Sequence, residues 1–526
     1  MRPLTLLASL SVVLPALIPS SFAGEATRSH ETVTGNLTLD QAVQIALRQN
    51  PNILKAIQQI ELTRGQIIEV RAQALPHLAL TGSYFQQAPS LTQGGGQGGG
   101  GGSGGGTTDS TSFASIPGVT GSAEEQIAGV NQQNSGQSSQ NQFSRGGDIS
   151  WNVQVQATQV LYAGGQVRAA IKIAKFTEDS SYFSLRDTVD NTIATVRQNF
   201  YTVLLNRALI TVQEESVRLL GSQLKDQQNR LDAGTVPRFN VLQAEVALAN
   251  QQPILINAKG NYYLALAQLG KTLSTDPGSD GRPTFNPVGE LTVSERPIGL
   301  KNAIDLGLER RPFLKVQRLQ ILIQKEQIKV ALAGYKPQLN ANGGFEVRNA
   351  PLTSHLDETI DGWFFGVTGQ WNIFDGLETF GRVKQARASL ESAKINYDDS
   401  VHQVELEVQQ AYVRLQTARA TIRSGQKTVE QADEAVRLAS ERLSAGAGTQ
   451  LDVLNAQVQL TTARSTELQA RADYNVALAD YDRVTATATK YAETFADPLV
   501  VRKAPKTPPL KNPPPPKKAP ATKKQP

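Results

Sequence analysis

The 526-residue sequence has no cysteine, four histidines and one methionine. Without Cys there can be no disulfide, thiolate metal site, Cys nucleophile or lipidated N-terminal Cys. His30, His77, His355 and His402 are scattered, with no ligand spacing between any two. Neither a zinc site nor His-based catalysis is expected. Beyond the N-terminal segment no run of about 18 uninterrupted apolar residues occurs, so the mature chain should carry no transmembrane helix. A strong excess of one charge is also missing. The net charge is +5, but residues 497–526 hold eight Lys/Arg against one acid, which leaves the body close to neutral. A nucleic-acid-binding body is therefore disfavoured. The glycine run at 94–106 opens no strand-to-helix phosphate loop. No enzyme, cofactor or metal is expected.

Hydrophobic residues make up 39% of the chain, enough to bury cores. Met1 to Ala23 reads as a signal peptide: Arg2 is the positive start, Leu4 to Ile18 the apolar stretch, and Ser21-Phe22-Ala23 a small-x-small cleavage site. The alternative, a membrane anchor, has an apolar core short for a bilayer of about 30 Å. The rest contains one unit twice. LDQAVQIALRQNPNI at 39–53 matches LKNAIDLGLERRPFL at 300–314, and the register holds through Pro76/Pro337 and Gly82/Gly343. At a second steady offset, Tyr162-Ala163-Gly164 matches Phe374-Asp375-Gly376, Phe200 matches Tyr412, RLDAG matches RLSAG, Val241-Leu242 matches Val453-Leu454, and Tyr262 matches Tyr474. The first copy carries an extra segment at 88–147, which holds 17 of the 43 glycines and should be a flexible loop.

Four segments of about ten residues alternate with period two. Trp151, Val153, Val155 and Ala157 share one face; so do Leu339, Ala341, Gly343, Phe345 and Val347, and Trp363, Phe365, Val367, Trp371 and Ile373. The fourth segment, 76–86, turns Leu78, Leu80 and Tyr84 outward. Ten residues is the length of a tilted membrane strand, and all three Trp fall in these segments, as an interfacial belt requires. A soluble sandwich strand would alternate equally, but four strands among so many helices offer no second sheet to pack against. Four strands do not close a barrel, since small barrels need about eight, and lipid does not tolerate open edges. A membrane reading therefore requires association between copies.

No Pro occurs from Gly164 to Val236 or from Gly376 to Ala496. Both stretches carry apolar residues at three- and four-residue spacing, such as Val436, Leu438, Leu443 and then Leu451, Leu454, Val458, which reads as long amphipathic helix of coiled-coil type. AGTVPRF and AGAGTQL interrupt them with Gly suited to a left-handed helix end, after which Asn240 or Thr449 could cap the return helix. Pro253 should interrupt and kink the first return helix.

This organisation resembles the TolC-like outer-membrane efflux protein family over nearly all of 37–495. The resemblance implies an α+β membrane protein: a trimeric 12-stranded β-barrel, four strands per protomer, continued by a long α-helical coiled-coil periplasmic tunnel, with two internal structural repeats. On this reading 1–23 is the signal peptide. The first repeat is 24–296 (helices 37–75, strands about 76–87 and 149–162, loop 88–147, helical hairpin 164–271). The second is 297–496 (helices 298–336, strands about 337–348 and 362–374, hairpin 376–495), and 497–526 is a Pro/Lys-rich disordered tail. It also implies a homotrimer in the outer membrane that meets a periplasmic adaptor and an inner-membrane transporter, as the exit duct of a tripartite pump or type I secretion system.

By the same resemblance Asp452, Asn455, Asn240 and Arg238 line the periplasmic aperture. Ala233-Gly234-Thr235 and Ala445-Gly446-Ala447 are adaptor-docking turns, and Trp151, Trp363, Trp371, Tyr84 and Phe345 form the membrane belt. Asp452 is equally an ordinary helix N-terminal acid, and the turns equally simple turn chemistry. Gly448 and Leu443 stand where an Arg and a Tyr of a closing network are expected, which argues against a strongly salt-bridged gate. Gln154, Asn340, Glu346 and Asn372 are polar lumen lining. The competing reading is a structural or adhesive coiled-coil surface protein without channel activity, with the Gly-rich segment as a display loop.

Overall fold

The computed structural model describes residues 35–86, 149–276, 281–293, 296, 299–349 and 358–487. The signal segment 1–23, the Gly-rich segment 88–147 and the tail 497–526 lie outside them. In chain order the elements are β1 (Gly35–Leu37), α1 (Leu39–Gln49), α2 (Pro51–Ala72), β2 (His77–Gln86), β3 (Ile149–Ala163), α3 (Gln166–Asp232) and α4 (Arg238–Leu273). There follow β4 (Phe285–Pro287), α5 (Leu300–Arg310), α6 (Pro312–Leu332), a 3-10 turn (Ala333–Tyr335), β5 (Gln338–Asn349), β6 (Thr359–Gln370), α7 (Glu378–Ser444) and α8 (Gln450–Val484).

Proline places the two early helix breaks. Asn50 and Arg311 each precede a Pro and are extended, with ψ of 125° and 123°, because the ring of the next residue disfavours their helical conformation. Pro51 and Pro312 then open α2 and α6 as first helical residues, where no N–H is missed. Asn50 adds an N-cap, its Oδ1 accepting from the Asn52 N–H at 2.9 Å.

The chain forms two compact units, one of Glu61–Ser180 and Gln317–Asn396, the other of Met1–Ile60, Ser181–Val316 and Tyr397–Pro526. The first contains one antiparallel sheet in the order β2-β3-β5-β6. Gly164 ends β3 with φ +62°, and a Cβ there would lie 2.7 Å from the Ala333 carbonyl oxygen, so only Gly fits. Ile67 and Val70 of α2 pack on Ala174 of α3.

The second unit holds the main core. Val43, Leu47 and Ile53 pack with Ile193, Val196 and Phe200 of α3, Leu269 and Leu273 of α4, and Phe285. A smaller cluster joins Ala303 to Val404, Val408 and Val484, and another joins Leu415 and Ile422 of α7 to Ala470 and Tyr474 of α8. Polar side chains link neighbouring helices. Gln251 of α4 donates to Gln213 of α3 at 2.5 Å, and Gln227 of α3 to Gln450 of α8 at 3.1 Å. Arg464 of α8 reaches Glu215 of α3 at 3.1 Å and Asp433 of α7 at 3.5 Å. The bonded order is thus α4, α3, α8, α7.

Pro253 does not interrupt α4, which is continuous from Arg238 to Leu273. Pro253 and Ala249, whose carbonyl loses its usual donor, are both exposed, so water can satisfy that carbonyl without breaking the helix.

Candidate functional site: a two-faced sheet and paired helical turns

Pairing across the sheet gathers the apolar positions into rows. Leu80 faces Val155, Val155 faces Phe345, and Phe345 faces Trp363. A neighbouring row runs Leu78, Ala157, Gly343, Phe365. These side chains are uncovered: Leu78 is 75% exposed, Phe365 70% and Trp363 81%. Water would penalise so large a contiguous apolar face. Tyr84 pairs with Trp151 at the far end of the β2–β3 ladder, so four of the expected belt aromatics lie on paired strands.

Trp371 does not. β6 ends at Gln370, the partner of Gln338, because the residue before Gln338 is Pro337, which has no N–H to extend the ladder. Trp371 instead donates its indole N–H to the Tyr335 carbonyl at 3.1 Å. Asn372 also lies past the strand and accepts from Gln370 at 3.3 Å.

The opposite face is polar. Gln154 pairs with Glu346, Thr158 with Asn342, and Asn340 with Thr368. Within the same unit these strands, the turn after α2 and parts of α3, α6 and α7 line a cavity of about 1050 Å³. Amides are its most frequent polar lining, among them Gln73, Gln159, Gln327, Asn340 and Gln385. The charged Arg382 on this wall is paired with Glu378. Sequence reasoning named Asn340 but missed the helical amides. Gln324 and Gln327, three apart on α6, were the available signal.

The helix-to-helix turns are built alike. Gly234 and Gly446 both have φ +72°. Gly234 donates to the Leu231 carbonyl at 2.8 Å and Thr235 to Arg230 at 2.8 Å; Gly446 donates to Leu443 at 3.1 Å and Ala447 to Arg442 at 2.8 Å. This pair of bonds with a left-handed Gly closes a helix end by satisfying its last carbonyls. Ala233, Gly234, Thr235, Ala445, Gly446 and Ala447 are all exposed.

The start of α8 is tied by a reciprocal cap. Thr449 donates to the Asp452 carboxylate from its N–H at 2.9 Å and from its hydroxyl at 2.8 Å, and the Asp452 N–H donates back to that hydroxyl at 3.2 Å. The Thr449 N–H and hydroxyl hold the Asp452 carboxyl below the ordinary range. Asp452 and Asn455 are exposed one turn apart, while on α4 Arg238 is exposed and Asn240 half-buried. Among the described residues no hydrogen bond or ion pair joins the α4 pair to the α8 pair.

Among the described residues no group of three or more His, Cys, Asp or Glu could hold a metal ion, and no helix is long and apolar enough to cross a membrane.

The same fold occurs in known proteins. The outer membrane efflux protein BepC of Brucella suis is 22% identical over 350 residues, 65% of this chain and 73% of that protein. Protein CyaE of Bordetella pertussis is 27% identical over 246 residues, 46% of this chain and 50% of its own. Among solved structures the CmeC outer membrane channel of Campylobacter jejuni superposes with a TM-score of 0.68 at 16% identity, covering 87% of this chain and 89% of that one. The outer membrane protein VceC of Vibrio cholerae gives 0.65 at 16%, covering 85% and 95%. The model of the outer membrane efflux protein family matches twice, over residues 42–275 and 303–486. The chain belongs to the outer membrane efflux protein family.

Proposed function

We propose that the protein is the outer-membrane exit duct of a tripartite efflux pump or type I secretion system, assembled as a homotrimer. The observation that carries this is the sheet. One face is a continuous exposed apolar surface, the other is polar, and both edge strands, β2 and β6, are free to pair. In lipid such edges must be paired. Three copies of a four-stranded sheet give a closed barrel of twelve strands with the apolar face outward and the amide-lined face around the lumen. The two separate family matches support two internal repeats, one for each half of the chain.

The long hairpins α3–α4 and α7–α8 then form the periplasmic tunnel, each 67-residue first helix being roughly 100 Å long. Their paired Gly turns are the surface for a periplasmic adaptor. Asp452, Asn455, Asn240 and Arg238 border the entrance, which opens when adaptor and inner-membrane transporter assemble on it. The duct does no chemistry of its own and passes what the transporter delivers.

The test is conductance of the purified, detergent-solubilised protein in a planar bilayer, with the oligomer mass measured on the same sample. Discrete openings from a trimer are expected. A non-conducting, water-soluble monomer would refute the proposal.

A further inference from the structure

The wall of the cavity in the sheet unit is polar without being charged. Nine of its 22 lining residues are Gln or Asn, and Arg382, paired with Glu378, is the one Asp, Glu, Lys or Arg among them. Its apolar positions are Val, Ala and Gly, with no Phe, Tyr or Trp. Elsewhere in the chain amides that lie between elements are bonded to one another, as Gln251 is to Gln213 and Gln227 to Gln450. On the cavity wall Gln159 is likewise engaged, donating to the Ala74 carbonyl at 2.7 Å. Gln166, Gln324, Gln327, Gln338, Asn340 and Asn342 are not. Among the described residues their side chains have no hydrogen-bond partner in the protein.

The fold spaces these amides regularly. Gln338, Asn340 and Asn342 share one face of β5, about 6.8 Å apart. Gln324 and Gln327 lie three residues apart on α6, with about 5–6 Å between their Cβ atoms. Each amide can both donate and accept. An ion entering this space sheds hydration and meets no free opposite charge. An apolar solute drives water off the amides without replacing its hydrogen bonds. A solute with hydroxyl groups along its length replaces that water bond for bond, because a hydroxyl also both donates and accepts. Val160, Val167 and Val330, set among the amides, then face the C–H surfaces of the same molecule.

We propose that the amide-lined cavity is a binding site for an uncharged, polyhydroxylated ligand, a neutral glycan chain. The inference rests on the duct reading above and names a class of cargo for it. The probe is maltoheptaose, added to the purified full-length protein in a detergent without a sugar headgroup and read by saturation-transfer NMR. Polyethylene glycol of matched length is the uncharged control that lacks hydroxyls along its chain, and an uncharged Gly-Ser peptide is the polypeptide control. Oligomer mass and bilayer conductance are measured on the same sample.

Maltoheptaose should be saturated by the protein and the glycol should not. Gln324→Leu combined with Gln327→Leu, and separately Asn340→Leu, should each raise the apparent Kd of the sugar about tenfold, the worth of one or two hydrogen bonds. Helix content by circular dichroism should stay unchanged. The two variants alter a helix and a strand of the same wall, so a folding defect in one leaves the other to decide. Equal saturation of sugar and glycol, or an unchanged Kd in both variants, overturns the site whether or not the channel conducts. Stronger saturation of the peptide overturns the glycan assignment in favour of a polypeptide. A non-conducting monomer that still binds the sugar overturns the duct reading and leaves the site; one that does not bind it overturns both.

Discussion

Among individual residues, Asp190 on α3 is held at the greatest disadvantage. It is buried, its Oδ1 is 3.7 Å from Arg186 Nε, and its Oδ2 has no hydrogen-bond partner among the described residues. Burial raises its pKa to about 6, Arg186 opposing and the neighbouring Asp187 reinforcing the shift. The folded carboxyl therefore holds its proton more tightly than the unfolded one. The stabilisation from that proton is complete below about pH 4 and is lost as pH rises through about 6. Asp190→Asn should leave stability unchanged near pH 4 and raise it at pH 8 by up to about 3 kcal/mol, because Arg186 is partly solvated and tolerates losing the charge. Denaturant midpoints at the two pH values check this. A less stable variant at pH 8 would mean that the Arg186 contact outweighs the burial. No sequence pattern marks Asp190, since its environment comes from packing between distant segments. The tip glycines are the opposite case: RLDAG and RLSAG announce a left-handed helix end, and the bonds at Gly234 and Gly446 follow from local chemistry alone.

For whole elements, the sheet offers two tests. Phe365→Arg, at the end of the exposed apolar row on β6, should destabilise the membrane-inserted form by about 2–4 kcal/mol if it lies near the bilayer midplane, and less toward the interface. Thr368→Arg, on the polar face of the same strand, should insert as wild type. Urea titration in lipid vesicles measures both, and equal behaviour of the two variants would remove the lipid-facing assignment. Deleting residues 92–145 should leave trimer and conductance intact, because β5 and β6 form the same antiparallel pairing with only residues 350–358 between them. Loss of trimer in that deletion would show that the segment takes part in assembly. The strand faces were legible because alternation is local: Val153, Val155, Phe345 and Phe365 all end on one side of the sheet. The end of β6 was not legible. Alternation continues through Trp371 and Ile373, whereas the ladder stops where Pro337 takes away its donor. The uncovered side of α4 was hidden for a related reason. Its periodicity is in the sequence, but whether Phe239, Leu242 and Val246 stay exposed depends on which side of the helix packs on α3.

At the scale of the whole molecule, ion selectivity should depend on where fixed charge faces the conduit. Arg382 is the one Asp, Glu, Lys or Arg on the described cavity wall of the sheet unit, and it is neutralised by Glu378, so that section should discriminate little by charge. The proposed entrance differs. Asp452 is exposed, and because Thr449 holds its carboxyl below the ordinary range it stays ionised well into acid. In the proposed trimer a ring of such carboxylates, one from each copy, would attract cations and repel anions in a narrow passage. Asp452→Asn should therefore move the reversal potential in a salt gradient toward zero, with unit conductance changed less than twofold. The preference of the wild type should persist to a lower pH than an ordinary carboxylate allows. Glu346→Gln, on the polar strand face, is the comparison. If cation preference survives Asp452→Asn and disappears in Glu346→Gln, the selecting charge lies in the barrel, and Asp452 is left with its role as a helix cap.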